Sequence, residues 1–247
     1  MDQKTVTESR KNCVKIISAQ GNSSGTGFFI SEDLIATCFH VIAKITVNNN
    51  NLNYSIFGDI QIITESGETI PAICISLPTN GSPEPCHQDF AILKINTPTA
   101  NKIILPLAKS FNPNITEPVI FSGYPLGTPA LLTHKGTISG FTNNKELICI
   151  QASTNKGNSG GALIDNNGQI IGIVSLREGG ISLGLQKFLS QIEISKSNGS
   201  VQIMGVDPLL VTEETIKILD QFISTGIGYA RNIKYLSEYI TKHNIKL

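Results

Sequence analysis

The chain has 247 residues, a length at which all-β proteins fold as one unit or as two fused halves. Its 19 basic residues balance its 19 acidic ones, so no overall field attracts nucleic acid or an anionic membrane, and neither partner is predicted. Charged residues make up only 15% of the chain, whereas Gly contributes 22 residues and Pro 11, a composition typical of many turns and little exposed helix.

Short apolar runs rich in β-branched residues, each bounded by Gly, Pro, Asn or Ser, predict β-strands through most of the chain. Six predicted strands precede a connector that contains three prolines: Cys13–Ile17, Thr26–Ile30, Leu34–Thr37, Ile60–Thr64, Ile70–Ser76 and Phe90–Lys94. Six follow it: Val119–Gly123, Leu132–Ser139, Leu147–Gln151, Ala162–Ile164, Ile170–Ser175 and Ile227–Ala230. We therefore predict an all-β fold of two similar six-stranded barrels, residues 13–105 and 119–231, joined by a connector at 106–118.

Three segments interrupt the pattern of strands. Asn48–Asn53 includes four consecutive Asn residues and predicts a surface loop. Asp207–Ile223 predicts a helix with an acidic first turn. The stretch from Asn232 to about His243 places three apolar side chains on one face behind an Asn cap, which predicts a C-terminal helix.

The cysteines predict neither a disulfide framework nor a zinc site, because they are five in number and no two have a C-x-x-C spacing. The N-terminal residues contain no apolar segment typical of a signal peptide, and no apolar run approaches the length of a transmembrane helix. These features predict a soluble cytoplasmic protein. Export with a leader removed ahead of Met1 is the alternative.

Ser159 lies in Lys156–Leu163, a segment rich in small residues between two predicted strands. A serine hydroxyl that attacks a carbonyl needs an exposed position on a tight turn, with room for substrate and backbone to approach. Gly157 allows the turn to aim its own amide and that of Ser159 at one point, where both would stabilise an oxyanion. A Gly-rich hairpin turn without chemistry is the alternative interpretation.

A reactive serine needs a base, and the chain has four histidines. His40 follows two predicted strands, which suits a side chain at the edge of a barrel. Asp89 begins an alternating run and is predicted on the inward side of a strand, where a carboxylate is costly unless it is paired. Such a carboxylate could fix the tautomer of His40. A hydrogen-bonding structural His and a turn Asp are the alternatives.

Together the motifs G-T-G-F-F-I, T-C-F-H-V, D-F-A-I-L-K and G-N-S-G-G-A-L resemble the chymotrypsin-like, or trypsin-like, serine peptidases, and among them the bacterial HtrA/Deg-type branch. His40, Asp89 and Ser159 occur in that family's order along the chain. The resemblance covers about Val14 to Ile240 and implies a chymotrypsin-like double barrel of antiparallel strands, with the active site between the barrels.

The resemblance also implies a role for each matched residue. Ser159 would be the nucleophile, His40 the general base and then general acid, and Asp89 the residue that orients His40. The backbone amides of Gly157 and Ser159 would form the oxyanion hole. The implied reaction hydrolyses a peptide bond with no metal and no organic cofactor, and the other three histidines lack the family's motif.

For substrate preference, the resemblance places Ser153 at the base of the specificity pocket, with Ser175 and Arg177 nearby. An acid at position 153 would select Lys or Arg, and the serine found there disfavours that selection. The resemblance to the HtrA branch implies small or aliphatic preferences instead. Arg177 either reaches the pocket rim and favours an acidic side chain, or is a solvated loop residue.

The chain also departs from the HtrA/Deg pattern. No PDZ domain is expected after the matched region, and an insertion at 176–225 separates the last two strands of the second barrel. This insertion is expected either to gate the site or dock a substrate, or to be a passive excursion. Residues 1–12 are expected to form an N-terminal extension, and 232–247 the C-terminal helix.

We expect an intracellular bacterial serine endopeptidase of narrow or regulated specificity, acting on a protein or peptide substrate. An activated effector of this kind would also have a regulatory partner protein. An exported protease is a second interpretation. A third, from another functional class, is a catalytically silent or zymogen-like peptide-binding module of the same fold.

Overall fold

The computed structural model describes residues 2–48, 51–78, 84–97, 99–110, 113–125, 128–177, 183–196, 202–222 and 226–247. Within these ranges the strands are β1 Cys13–Ser18, β2 Ser23–Phe29, β3 Leu34–Thr37, β4 Ala43–Asn48, β5 Asn51–Ile56, β6 Gln61–Thr64, β7 Thr69–Cys74, β8 Ala91–Ile95, β9 Pro118–Gly123, β10 Leu132–Phe141, β11 Leu147–Gln151, β12 Ala162–Ile164, β13 Ile170–Arg177 and β14 Ile227–Asn232. The α-helices are α1 Gln3–Asn12, α2 Phe39–Ile42, α3 Glu84–His87, α4 Leu183–Lys196, α5 Pro208–Phe222 and α6 Lys234–Lys242.

Twelve of these strands close into two barrels of antiparallel pairs. The first barrel has the order β1-β2-β3-β8-β7-β6, and the second has the order β10-β11-β14-β13-β12-β9. Burial follows the β-branched and aromatic residues of these strands, with Phe28, Ile35 and Ile92 fully buried in the first barrel and Ile120 and Ile150 in the second. Each predicted strand corresponds to an observed one, and the predicted fold class is confirmed.

One predicted loop is wrong in part. Strands β4 and β5 form an antiparallel hairpin in which Asn48 pairs with Asn51 and Thr46 with Asn53, so these residues belong to strands rather than to a loop. Asn49 and Asn50 lie outside the described residues. Pairing of the flanking segments overrides the weak strand preference of Asn.

The helix predicted over Asp207–Ile223 is confirmed as α5, but the prediction of an acidic first turn is wrong. The helix begins at Pro208, and the Asp207 carboxylate accepts a hydrogen bond of 2.9 Å from the amide of Leu209. The acid therefore caps the helix from outside. The predicted C-terminal helix is present as α6, with Asn232 accepting from the amide of Lys234 at 3.0 Å.

Helix α1, which the sequence did not predict, joins both barrels through polar groups. Ser9 exchanges a hydrogen bond of 2.7 Å with Ser122 of the second barrel. The amide side chain of Asn12 donates to the carbonyl of Phe29 in the first barrel at 2.8 Å. The N-terminal extension is thus a docked helix.

Candidate active site

A cleft of about 520 Å³ is lined by residues from both barrels. The first barrel contributes the start of β2 together with His40 and Val41 of α2, which follows β3 directly. The second contributes the loop between β11 and β12, which includes Ser159, and residues of β13. Asp220 of α5 completes the lining. The cleft therefore gathers side chains that are far apart in sequence.

His40 and Asp89 are joined by direct hydrogen bonds. His40 Nδ1 lies 2.9 Å from Asp89 Oδ2, and the backbone amide of His40 donates to Asp89 Oδ1 at 3.1 Å. The His40 side chain is 39% exposed and that of Asp89 17%, so the imidazole faces the cleft and the carboxylate lies behind it. This contact fixes the ring orientation and leaves Nε2 as the nitrogen available for proton transfer.

Asp89 reaches His40 from a turn and does not lie on a strand as predicted. Strand β8 begins two residues later, at Ala91, and Asp89 has a φ of 50° in the left-handed region. Asp tolerates this region better than most residues. The hydroxyl of Ser175 donates to Asp89 Oδ2 at 2.5 Å, which gives the carboxylate a second partner from the other barrel.

The hydroxyl of Ser159 donates to the carbonyl of Ser175 at 3.0 Å. Among the described residues it makes no hydrogen bond to His40. The backbone amides of Ser159 and Gly157 likewise have no partner among the described residues, so both can donate to a group bound in the cleft.

Thr26 of the first barrel holds the loop that carries Ser159. Its amide donates to the carbonyl of Ser159 at 2.8 Å, and its hydroxyl donates to the carbonyl of Gly157 at 2.6 Å. Gly157 has a φ of 98°, and a Cβ there would overlap the carbonyl oxygen of Tyr124. The loop therefore requires glycine at this position.

Residues 25–173, more than half of the chain, match the trypsin-like peptidase domain family. The chain belongs to this family. It is 26% identical over 211 residues to the probable periplasmic serine endoprotease DegP-like of Brucella suis. That alignment covers 83% of this chain and 34% of the Brucella protein. The chain is 27% identical over 224 residues to the serine protease Do-like HtrA of Lactococcus lactis, covering 84% and 46%.

This trypsin-like peptidase domain thus spans about a third of the length of the Brucella relative and under half of the Lactococcus one. The crystal structure of a serine-to-alanine mutant of Rv3671c from M. tuberculosis H37Rv, in an inactive form, has a TM-score of 0.60 and 18% identity, with 100% of this chain and 93% of that chain covered. That similarity shows the fold. None of the described helices is both long and apolar enough to span a bilayer.

Electrostatics of the peptidase cleft favour an ion pair between imidazole and carboxylate. Burial alone would lower the pKa of His40, but the hydrogen bond and negative charge of Asp89 outweigh it and raise that pKa above its usual value. Burial alone would likewise raise the pKa of Asp89, yet hydrogen bonds from His40 and Ser175 and the charge of His40 lower it. Asp89 is therefore ionised when His40 takes up a proton.

One cluster among the described residues has the donor types of a metal site. The ligand atoms of Cys38, His40 and Asp89 all lie within 4.8 Å of one another. However, Cys38 is fully buried and its thiol donates to the carbonyl of Val174 at 3.3 Å. Burial, followed by the nearby Asp89 charge, raises the pKa of this thiol well above its usual value. Because metal binding needs the thiolate, the cluster is a poor ligand set.

The predicted pocket residues fall in different places. Ser175 lines the cleft, whereas Ser153 lines a separate depression together with Ser139 and Gln151. The backbone of Arg177 ends β13, and its side chain lies outside the described part of the structure. Ser153 therefore does not line the cleft that contains Ser159.

Thr154, next to Ser153, lines the cleft instead. Its side chain is 1% exposed and packs so closely on Gly228 that a Cβ at 228 would overlap it. The signal available in the sequence was its place five residues before Ser159. Lys156 and Asp220 also line the cleft, and no sequence pattern linked them.

Proposed function

We propose that this chain is a serine endopeptidase that hydrolyses peptide bonds through an acyl-enzyme, with His40, Asp89 and Ser159 as its catalytic triad. The observation that carries the proposal is that His40 and Ser159 line one cleft, with Asp89 behind the imidazole and its Oδ2 2.9 Å from His40 Nδ1. Family membership and the names of the relatives, which are serine proteases, support the same reaction.

In the first step, Ser159 Oγ attacks the substrate carbonyl carbon and its proton passes to His40 Nε2. The carbonyl π electrons move to oxygen, and the resulting oxyanion accepts hydrogen bonds from the amides of Gly157 and Ser159. Asp89 stabilises the imidazolium and fixes its tautomer. The C–N bond then breaks, and the leaving amine takes the proton from His40.

In the second step, His40 accepts a proton from water while the water oxygen attacks the acyl carbon. Collapse of the second oxyanion breaks the bond to Ser159 Oγ, which recovers its proton from His40. Atoms and charge balance without a metal or cofactor.

We further propose that cleavage is restricted to small or aliphatic residues at the primary position. The buried Thr154 side chain takes up space against Gly228, which supports a shallow pocket. Neither Ser153 nor Thr154 is charged, and an acid at the base of the pocket would be needed to select Lys or Arg.

A catalytically silent or zymogen-like peptide-binding module is the second candidate. The observation that favours it is the Ser159 hydroxyl, which donates to Ser175 at 3.0 Å. In the endopeptidase proposal this hydrogen bond must break, so that the hydroxyl can donate to His40. We also propose a regulatory partner protein that promotes this exchange of the Ser159 hydrogen bond.

The proposal also places the protein in a reducing compartment, the bacterial cytosol. All five cysteines are free thiols, the state that thiols keep there. The Brucella relative is by name periplasmic, so fractionation of cells is the direct measurement.

A fluorophosphonate probe tests the central proposal, since it forms a covalent bond with an activated serine. We expect wild-type protein to be labelled, Ser159→Ala to lose labelling completely because it lacks the attacking oxygen, and His40→Ala to be labelled slower by several orders of magnitude. Ser139→Ala, which changes an exposed serine outside the cleft, serves as the matched control. An unlabelled wild type, also with cell extract present, would favour the silent module.

A further inference from the structure

Helix α5 of the insertion places a carboxylate in the cleft. Glu213 and Ile216 are 5% and 4% exposed and lie on one face of this helix, and Asp220 follows on the same face one turn later. Glu213 is held by ion pairs to Lys217 and to Lys196 of α4. The two helices thus support each other and present Asp220 to the cleft.

In the cleft, Asp220 contacts Lys156, the residue immediately before Gly157. Lys156 Nζ donates to Asp220 Oδ2 at 2.7 Å. The peptide bond between Lys156 and Gly157 carries the Gly157 amide, one of the two proposed oxyanion donors. An anchored Lys156 side chain therefore restrains the backbone from which that amide extends.

On the other side of Gly157, two hydrogen bonds hold the loop in place. The carbonyl of Gly157 accepts from Thr26 at 2.6 Å, and the amide of Asn158 donates to the carbonyl of Asn155 at 3.0 Å. The preceding peptide plane can still rotate, because Gly157 has no side chain to limit it. The Lys156 side chain supplies a second attachment, on the amide side.

We propose that Lys156 and Asp220 are positioning residues of the peptidase: their ion pair directs the Gly157 amide into the cleft, and so couples helix α5 to oxyanion stabilisation. This inference rests on the proposed function. It gives the insertion a role in the catalytic step. Because the Lys156 side chain is 60% exposed, the ion pair is weak and adjusts the loop without locking it.

The test uses Asp220→Asn, Lys156→Gln and the charge-exchanged double variant Lys156→Asp/Asp220→Lys. We expect each single variant to lower kcat on an uncharged peptide, and the labelling rate with a neutral fluorophosphonate, by roughly three- to fivefold, with KM unchanged. The double variant should recover most of both rates. Lys4→Gln is the control, because it removes an exposed ion pair, to Glu8 of α1, that lies outside both the insertion and the cleft.

Three results would overturn the inference. Wild-type rates in both single variants would show that the ion pair does not direct the loop. A change in KM for acidic peptides alone would make the pair a filter for substrate charge. Absence of labelling in wild type would refute the proposed function itself, and this inference with it, whereas the first two results leave that function intact.

Discussion

In the part of the cleft that the first barrel supplies, His40 and Asp89 are already joined by a hydrogen bond of 2.9 Å. In the part that the second barrel supplies, the Ser159 hydroxyl donates to Ser175 at 3.0 Å and makes no hydrogen bond to His40 among the described residues. The proposed base, His40, is thus oriented before substrate binds, while the proposed nucleophile, Ser159, has one hydrogen bond to exchange. We infer that activation is a local event at Ser159 that leaves both barrels closed.

The largest expected effect comes from disrupting the contact between His40 and Asp89, which is already formed. Asp89→Asn keeps the backbone conformation, since Asn tolerates a φ of 50° well, but turns an acceptor into a donor facing His40 Nδ1. His40 then adopts the wrong tautomer, and we expect kcat to fall by about ten-thousandfold. Peptide hydrolysis measures this loss.

Asp33→Asn is the control for that variant, because Asp33 pairs with Lys94 on the exposed side of the first barrel. It should leave kcat unchanged. If Asp89→Asn retained more than a tenth of wild-type kcat, Asp89 would not be the residue that orients the base.

A smaller effect is expected from weakening the hydrogen bonds that hold the loop with Ser159. Thr26→Val keeps the shape of the side chain but leaves the carbonyl of Gly157 without its 2.6 Å hydrogen bond. We expect kcat to fall roughly tenfold and the free energy of unfolding to fall by about 1–3 kcal/mol, since a buried acceptor loses its partner. Thr26→Ser keeps the hydroxyl and should stay near wild type. A loss in Thr26→Ser with Thr26→Val near wild type would mean that the methyl group, and not the hydrogen bond, supports the loop.

The smallest effect is a shift in the pH dependence of kcat/KM. His40 must be neutral to accept the Ser159 proton, and Asp89 raises the pKa of His40, so kcat/KM should rise through an inflection above the ordinary His value of 6.5. Asp89→Asn should move this inflection to lower pH. His134, whose pKa burial lowers, is the control, and His134→Gln should leave the profile unchanged. An inflection below 6.5 in wild type would contradict the effect assigned to Asp89.

The barrels were predictable because their strands are short apolar runs between turn residues, a signal that each strand carries by itself. The helix over Pro208–Phe222 was predictable for a similar reason, since its cap and apolar periodicity are local. The prediction that His40, Asp89 and Ser159 act together came from the family resemblance, because no local pattern relates residues so far apart.

Other features gave no such signal. Helix α1 buries Thr5, Ser9 and Asn12, a periodic face made of polar residues, so hydrophobic periodicity does not detect it. Strands β4 and β5 are joined across an Asn-rich segment that has the composition of a loop. The contact between Lys156 and Asp220 spans 64 positions and depends on how α5 packs. Each of these features is decided by tertiary contacts.

The attachment of helix α1 also bears on the order in which the molecule is built. Ser9 bonds to Ser122, 113 positions later, and the Arg10 side chain donates to the carbonyl of Leu131, 121 positions later, at 2.9 Å. Neither contact can form until about half of the polypeptide has been synthesised. The first helix to leave the ribosome therefore waits for the second barrel before it reaches its final place.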